Sequence, residues 1–434
     1  MKCCLVTPYP PERCGIAIYS SKLASNLTLF LDVTVIGNRC GHAEPKSDRR
    51  VRIVRSWKRN SPMYIHDIVR DVAREAPHII HVQHEYLAYG ARKYSILFPA
   101  LLLILRLLGR PIVLTMHSVV RRDRLSDDFF FIHQTGRRFS AIKRSIMTIF
   151  TRLIVRISNA VIVHSEAMKN VLTRDYNQEG SKVFIVSHGA DVHKAQGQTA
   201  ESRRQAGISS KRILLFFGFV IPGKGLEMLL RSFLRASTKI PHTVLVIAGA
   251  YHPRLRQEFP RYIGTIERLI EELGLSGKVI FENTFLSNDR LEGYVSAAQM
   301  VTFPYVDDSV VGVSGALATC AGWGKAVIAT KIPRFSSDID DGYDGILVEP
   351  GDEHGLTSAI VRLAEDENLR RKIGENLCEK AQRRNWTKTS SLTYELYLKA
   401  VQETTPSLVP SGVQRHRSRQ KTVETVRGLF LPFV

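Results

Sequence analysis

The sequence predicts an α/β protein of two doubly wound, Rossmann-like domains, and three observations predict it. Short runs of Val, Ile and Leu recur, among them KCCLVTP (2–8), HIIHVQHE (78–85), AVIVHS (160–165), RILLFFG (212–218) and TVLVIAG (243–249). Most are apolar along their length rather than alternating, as parallel strands covered on both faces require. Helix-like segments separate them, and the alternation breaks only once, in the polar stretch KAQGQTAESRRQAGISSK (194–211). Two βα arrays joined by one linker predict two domains.

In the first array, strands at 2–8, 32–37, 51–54, 78–85, 110–117, 160–165 and 182–189 alternate with helices at 17–29, 63–75, 93–108 and 166–176. The second has strands at 212–218, 243–249, 278–283, 300–305, 326–330 and 345–350. Its helices fall after Lys224 and at 261–273, 288–298 and 314–322, and a helical region covers 352–403. The domain boundaries so predicted are 1–190 and 211–385, with a linker over 191–210. The tail from 406 to 434 is rich in Ser, Pro, Arg and Lys, a composition that favours disorder.

The chain has 434 residues, of which 44% are hydrophobic and 24% charged, enough for two cores. Its net charge is +20, which favours a polyanionic partner: a phosphorylated substrate, an anionic membrane surface or nucleic acid. Nucleic acid is the weakest of these, because the sequence has no aromatic-interleaved basic motif and no helix-turn-helix pattern. Six cysteines at 3, 4, 14, 40, 320 and 378 lack the paired spacing of a zinc site. Reduced, packed thiols fit the cytoplasm. The apolar run 96–108 contains Pro99 and Arg106 and is shorter than the about 20 residues that span a bilayer. It is expected to be a buried helix. In 136–157, Phe139, Ile142, Ile146, Phe150, Leu153 and Ile157 share helical spacing, with most of the Arg and Lys residues elsewhere on the wheel. This pattern suits a helix with its apolar face packed on the sheet, or one lying on an anionic membrane. The first is the expectation.

Ligands in doubly wound sheets bind beyond the carboxyl ends of the strands, so residues just after each strand are the candidates. The first strand runs into PYPPERCGIA, where Gly15 allows close backbone approach at a helix N-terminus. A plain βα turn would look the same. Lys224, in GFVIPGKGLEML, can meet a diphosphate as a point charge, although GxxxxGK[ST] is not satisfied; a solvated loop lysine is the ordinary alternative. VGVSGALA (311–318) offers small side chains and helix amides at Ser314, Gly315 and Ala316, as would a close helix–sheet contact. His117 and Glu85 end adjacent strands and could position or deprotonate a hydroxyl, though a strand-end histidine commonly serves only a loop backbone.

Taken in order, VQHEYLAYG, LTMHSVV, VIVHSEAM, VSHGAD, FFGFVIPGKGLEMLL, VIAGAYHP, LEGYVSAAQMVTFPY and SGALATCAGWGKAVIAT resemble glycosyltransferase family 4, from Met1 to about Tyr397. The resemblance implies a GT-B fold, in which the two domains face across a cleft, and a retaining transfer of a hexose from a nucleoside-diphosphate sugar to a glycan, lipid or small-molecule acceptor. It implies His117 as the active-site histidine near the transferred sugar; Glu85, at the adjacent strand end, is the second catalytic candidate. Gly15, Lys224, Ser314, Gly315 and Ala316 would lie around the donor diphosphate, Phe285 near the base, and Trp386 in a helix (386–405) crossing back to the first domain. No metal or other cofactor is expected. The family usually carries two glutamates here replaced by Val311 and Thr319, and an arginine here replaced by Phe219. A subgroup with similar phrases lacks the pair. Asp307 or Asp308 is the candidate substitute on the donor sugar. The competing reading is a catalytically silent relative that binds a nucleotide or glycan.

Overall fold

The computed structural model describes residues 1–40, 50–126, 129, 139–193, 212–252, 255, 259–306 and 309–404. Most of the linker and the whole of the basic tail lie outside the described residues.

A seven-stranded parallel sheet forms the N-terminal lobe, in the order β3-β2-β1-β4-β5-β7-β8. Its strands are β1 (Lys2–Thr7), β2 (Asp32–Asn38), β3 (Arg52–Trp57), β4 (Ile79–His84), β5 (Ile112–Met116), β7 (Ala160–Val163) and β8 (Val183–Ile185). The helices between them are α1 (Gly15–Leu27), α2 (Tyr64–Glu75), α3 (Phe98–Arg106), α4 (Ser140–Ile157) and α5 (Glu166–Asn170). Residues Cys3 to Val6 of β1 and the whole of β4 and β5 are buried, as continuous apolar runs demand. Cys3 and Cys4 are buried free thiols, and burial pushes the Cys3 thiol up to about 12.

The C-terminal lobe has a second parallel sheet, in the order β11-β10-β9-β12-β14-β15. Its strands are β9 (Arg212–Phe217), β10 (Thr243–Ala248), β11 (Val279–Glu282), β12 (Met300–Phe303), β14 (Ala326–Thr330) and β15 (Ile346–Val348). The helices are α6 (Leu226–Ser237), α7 (Thr265–Glu272), α8 (Asn288–Ala297), α9 (Gly315–Gly322), α10 (Pro333–Ser336), α11 (Glu353–Glu365) and α12 (Glu367–Arg383). Both sheets change winding direction beside their first strand, β1 against β4 and β9 against β12. Crevices form at such points, and the carboxyl ends of the two sheets turn toward one another there.

Three features join the lobes. Helix α13 (Trp386–Thr404) follows α12 and packs on α1, burying Trp386, Leu396, Tyr397, Ala400 and Val401 in the lower N-terminal core. Next, β6 (Ser118–Val120) of the first lobe pairs antiparallel with β13 (Val310–Gly312) of the second, matching Val119 with Val311. Lastly, Ala190 N–H donates to the Arg384 carbonyl, 3.0 Å away. The β6–β13 ladder was not expected from the sequence.

Two expectations fail. The run 96–108 is not a fully buried helix: Phe98, Leu101, Leu102 and Leu105 are buried, but Ile96, Leu103, Ile104 and Leu107 are exposed. In α4 the predicted apolar face is split: Phe150 packs against the N-terminal core and Ile157 is buried, but the rest of it is not packed on the sheet. Ile142, Ile146, Ile149 and Leu153 face outward, as does Phe139 before the helix. The side turned inward holds Ser140, Thr148, Thr151, Ile154, Val155 and Ile157. Small hydroxyls can do this because they hydrogen-bond back into the helix, as Thr148 Oγ1 does to the Arg144 carbonyl.

Candidate active site

The cleft floor on the N-terminal side is built from residues that end strands. His117 follows β5, His164 follows β7 and His188 lies shortly after β8. Tyr19, one turn into α1 from Gly15, is buried beneath all three, its ring centroid 4.7 Å from His117, 5.2 Å from His164 and 5.1 Å from His188. Trp386 closes the cluster, 5.2 Å from Tyr19. His164 and His188 escaped the sequence reading, although each is a polar residue following a Val/Ile strand.

The hydrogen bonds fix the state of these rings. His164 Nδ1 lies 2.8 Å from the Val186 carbonyl, which can only accept, so the proton is on Nδ1. His164 Nε2 then faces His117 Nδ1 at 3.3 Å. On its other side His117 Nε2 donates to Gln83 Oε1, 2.8 Å away, and Gln83 Nε2 donates to His81 Nε2 at 3.0 Å. His81 Nε2 also lies 2.7 Å from Thr115 Oγ1, and its Nδ1 meets the Tyr397 hydroxyl. A chain of neutral groups therefore runs from α13 to the cleft. Burial, with His164 beside it, holds His117 well below the usual histidine range. Burial also takes His164 and His188 down to about 4, and His81 to about 3.

Glu85 is held by the residue after His117. Both its oxygens accept from the Ser118 hydroxyl, at 2.7 and 2.8 Å, and it accepts from the Tyr86 N–H at 3.1 Å. It therefore borders the cleft beside His117, through the next residue in the chain.

The C-terminal side supplies positive charge. Gly225 has φ +71, and a Cβ there would strike the Pro304 carbonyl, so only glycine lets α6 begin this close to β12. This fixes Lys224, whose Nζ sits 3.6 Å from the centre of the Tyr305 ring. Burial, with Arg334 of α10 nearby, holds the Lys224 ammonium well below the usual lysine range. Among the described residues no carboxylate is within ion-pair distance of Lys224 or Arg334. Arg334 donates instead to the carbonyls of Val313 and Val310, at 3.3 and 3.5 Å. It had no sequence signal of its own, since it lies beyond β14 in an ordinary turn.

Between the two sides stands the N-terminus of α9. The Ser314 hydroxyl caps it by accepting from Leu317 N–H at 3.1 Å, so this side chain is occupied. Gly315 and Ala316 begin the helix, where no helical carbonyl can reach their amides. Gly315 lies against the His188 ring, with Nε2 3.5 Å from where a Cβ would stand. Gly312 approaches the His117 carbonyl so closely that a Cβ would come within 2.9 Å.

Gly15 opens α1 with nothing within 4 Å of where a Cβ would stand and no side-chain cap at Cys14. Just before it, the Arg13 guanidinium lies 4.9 Å from the Phe285 ring centre, spanning the lobes. Phe285 is 42% exposed and continues through Phe219, 6.0 Å away, to His252, 4.6 Å further. These faces suit a flat aromatic guest. Asp307 and Asp308 lie outside the described residues. Among the described residues no group of three His, Cys, Asp or Glu is placed to hold a metal ion.

Two family models match the chain: "Glycosyltransferase Family 4" over residues 15–194 and "Glycosyl transferases group 1" over residues 211–366. The chain belongs to glycosyltransferase family 4. The D-inositol 3-phosphate glycosyltransferase of Corynebacterium urealyticum is 28% identical over 252 residues, 56% of this chain and 57% of that protein. The chain thus matches little more than half the length of this relative. Among solved structures, the sucrose-phosphate synthase of Thermosynechococcus elongatus superposes with a TM-score of 0.71 at 20% identity, covering 92% of this chain and 98% of that one. Anabaena HepE in complex with UDP-glucose gives 0.68 at 16%, covering 91% and 99%. The two facing sheets are the GT-B arrangement.

The family's missing glutamate has a structural reason in this member. Val311 is buried in the N-terminal core beside Val119 and Met116. Val311→Glu should therefore not restore a sugar contact. It would place a carboxylate without a partner in an apolar site, and should cost roughly 3 kcal/mol or more. Urea unfolding would read this as a lower midpoint. Unchanged stability would mean that side chain 311 can turn into the cleft. Thr319 points back along α9, its hydroxyl donating to the Gly315 carbonyl at 3.0 Å.

Proposed function

We propose that this protein is a retaining glycosyltransferase, moving a hexose from a nucleoside-diphosphate sugar to an acceptor held by the N-terminal lobe. The pairing of Lys224 with Arg334 carries the reading. Two cations are held together at a helix N-terminus with no described carboxylate to neutralise them, which is costly unless an anion arrives. A diphosphate fits both its charge and its reach.

In transfer, the bond from sugar to diphosphate breaks and negative charge grows on the leaving phosphate. Lys224, Arg334 and the amides of Gly315 and Ala316 would stabilise that charge in place, without a metal ion. Phe285, Phe219 and His252 would receive the base. HepE, which holds UDP-glucose, supports a nucleotide sugar as co-substrate. His117 and the Glu85–Ser118 pair would face the sugar and the acceptor hydroxyl. The net charge of +20 suits a phosphorylated or lipid-linked acceptor at an anionic membrane face. Retention of configuration rests on the family resemblance.

The second reading, a silent binding relative, is favoured by Val311 and Thr319. Incubation with UDP-, GDP- and ADP-sugars, following release of the nucleoside diphosphate, separates the two. One donor should be turned over. Tight binding with no release from any donor would support the silent reading, and no binding at all would sink both.

A further inference from the structure

The outward faces of α3 and α4 need an explanation. The two helices pack side by side. On α4, Ile142, Ile146, Ile149 and Leu153 line one stripe, and Phe139 stands at its head. From α3 and the turn after it, Leu103, Ile104 and Leu107 add to the same side of the lobe, Leu107 being 84% exposed. An apolar face spread over two helices exceeds the scatter of single hydrophobic residues on ordinary surfaces.

Charge frames this face. Between Glu85 and Glu166 the chain carries 13 Lys and Arg against three aspartates, at 123, 127 and 128. Half of the net charge of +20 therefore falls in these 80 residues. Lys143, Arg144 and Arg156 rise from α4 itself, and Arg106 from α3. Neither helix contains an acidic residue. No helix is long and apolar enough to cross a membrane among the described residues.

We infer that α3 and α4 form a docking surface for an anionic lipid bilayer, with the stripe from Phe139 to Leu153 immersed at the headgroup boundary and the cations at the phosphates. A second copy of the chain fits less well, because a two-fold contact would bring two strongly basic faces together. The place also suits the proposed chemistry, and this inference rests in that respect on the glycosyltransferase reading. Met147 of α4 packs on Val120 and Leu125, and with Val310 of β13 this cluster adjoins the β6–β13 ladder beside His117. An acceptor carried on lipid would thus be presented next to the cleft.

The test is flotation of the full chain with phosphatidylcholine vesicles, and with vesicles in which a third of the lipid is phosphatidylglycerol. Binding is expected to the second kind only, and to weaken as salt is raised. Ile142→Ser with Ile149→Ser should lower it about tenfold, and Lys143→Glu with Arg156→Glu by a similar factor. Ile142, Ile149 and Arg156 are exposed and Lys143 is half-buried, so melting temperature should not change in the serine pair, which is the variant that decides the test. Equal binding to both vesicles, or none, overturns the surface. So does a dimer in solution that the Ile142→Ser, Ile149→Ser protein converts to monomer. Flotation needs no substrate, whereas donor hydrolysis is read without vesicles. Vesicle binding without hydrolysis in any protein would overturn the functional reading alone, and hydrolysis without vesicle binding would overturn the docking surface alone.

Discussion

Lys224→Ala is expected to lower kcat/KM for the donor sugar by roughly two to three orders of magnitude, the scale seen when one group opposing a developing oxyanion is removed. Affinity for the free nucleoside diphosphate should fall with it, because the same charge meets the product. Folding should not suffer. The native state holds this ammonium partly desolvated beside Arg334, so its removal should leave stability unchanged or raised. That opposition, activity lost while stability is kept, distinguishes a binding lysine from a packing one. pH gives a second readout. Because the lysine's folded pKa is lowered, the unfolded chain holds its proton more tightly. Stability should then rise with pH across the interval between the lowered value and the ordinary one of about 10.4. Donor binding runs the other way, weakening as pH rises through the lowered value, because a neutral amine attracts no phosphate. Calorimetric titration across that range would show it. Donor affinity that is independent of pH and equal in the alanine variant would remove Lys224 from the site.

His117→Ala should reduce turnover about a hundredfold, the range for a positioned imidazole, with a smaller loss of stability from stranding Gln83 and His164. The imidazole is neutral, since burial and the facing His164 hold it well below 6.5. Turnover should therefore stay level as pH falls from 8 to 6, where an exposed histidine would impose a decline. An acid limb near 6.5 that vanishes in the alanine variant would show that a charged His117 matters and would break the hydrogen-bond assignment. Full turnover in the variant would place the chemistry elsewhere.

Much of the fold was legible because parallel strands leave a direct mark. Runs such as ILLFF and VLVIA are apolar along their whole length because both faces are covered. The strand-end rule then led to Gly15, His117, Lys224 and Ser314, and the family resemblance to Phe285. Glu85 came from the same rule, and its carboxylate accepts from the Ser118 hydroxyl. Arg334, His164 and His188 were harder, because their importance comes from neighbours remote in sequence. Helix α4 shows a different limit. Period tells which residues share a face, not which face meets the core, and here Thr148, Thr151 and Val155 won the inward side. The β6–β13 pair was invisible because three-residue strands have no period to detect.

That short ladder has a mechanical meaning. It starts one residue after His117 and ends two residues before Ser314, so it works as the spine of a book whose covers are the lobes. While its rungs hold, the backbone leaving His117 and the backbone entering α9 stay bound to each other, so the histidine and the α9 amides keep one alignment whatever the outer parts of the lobes do.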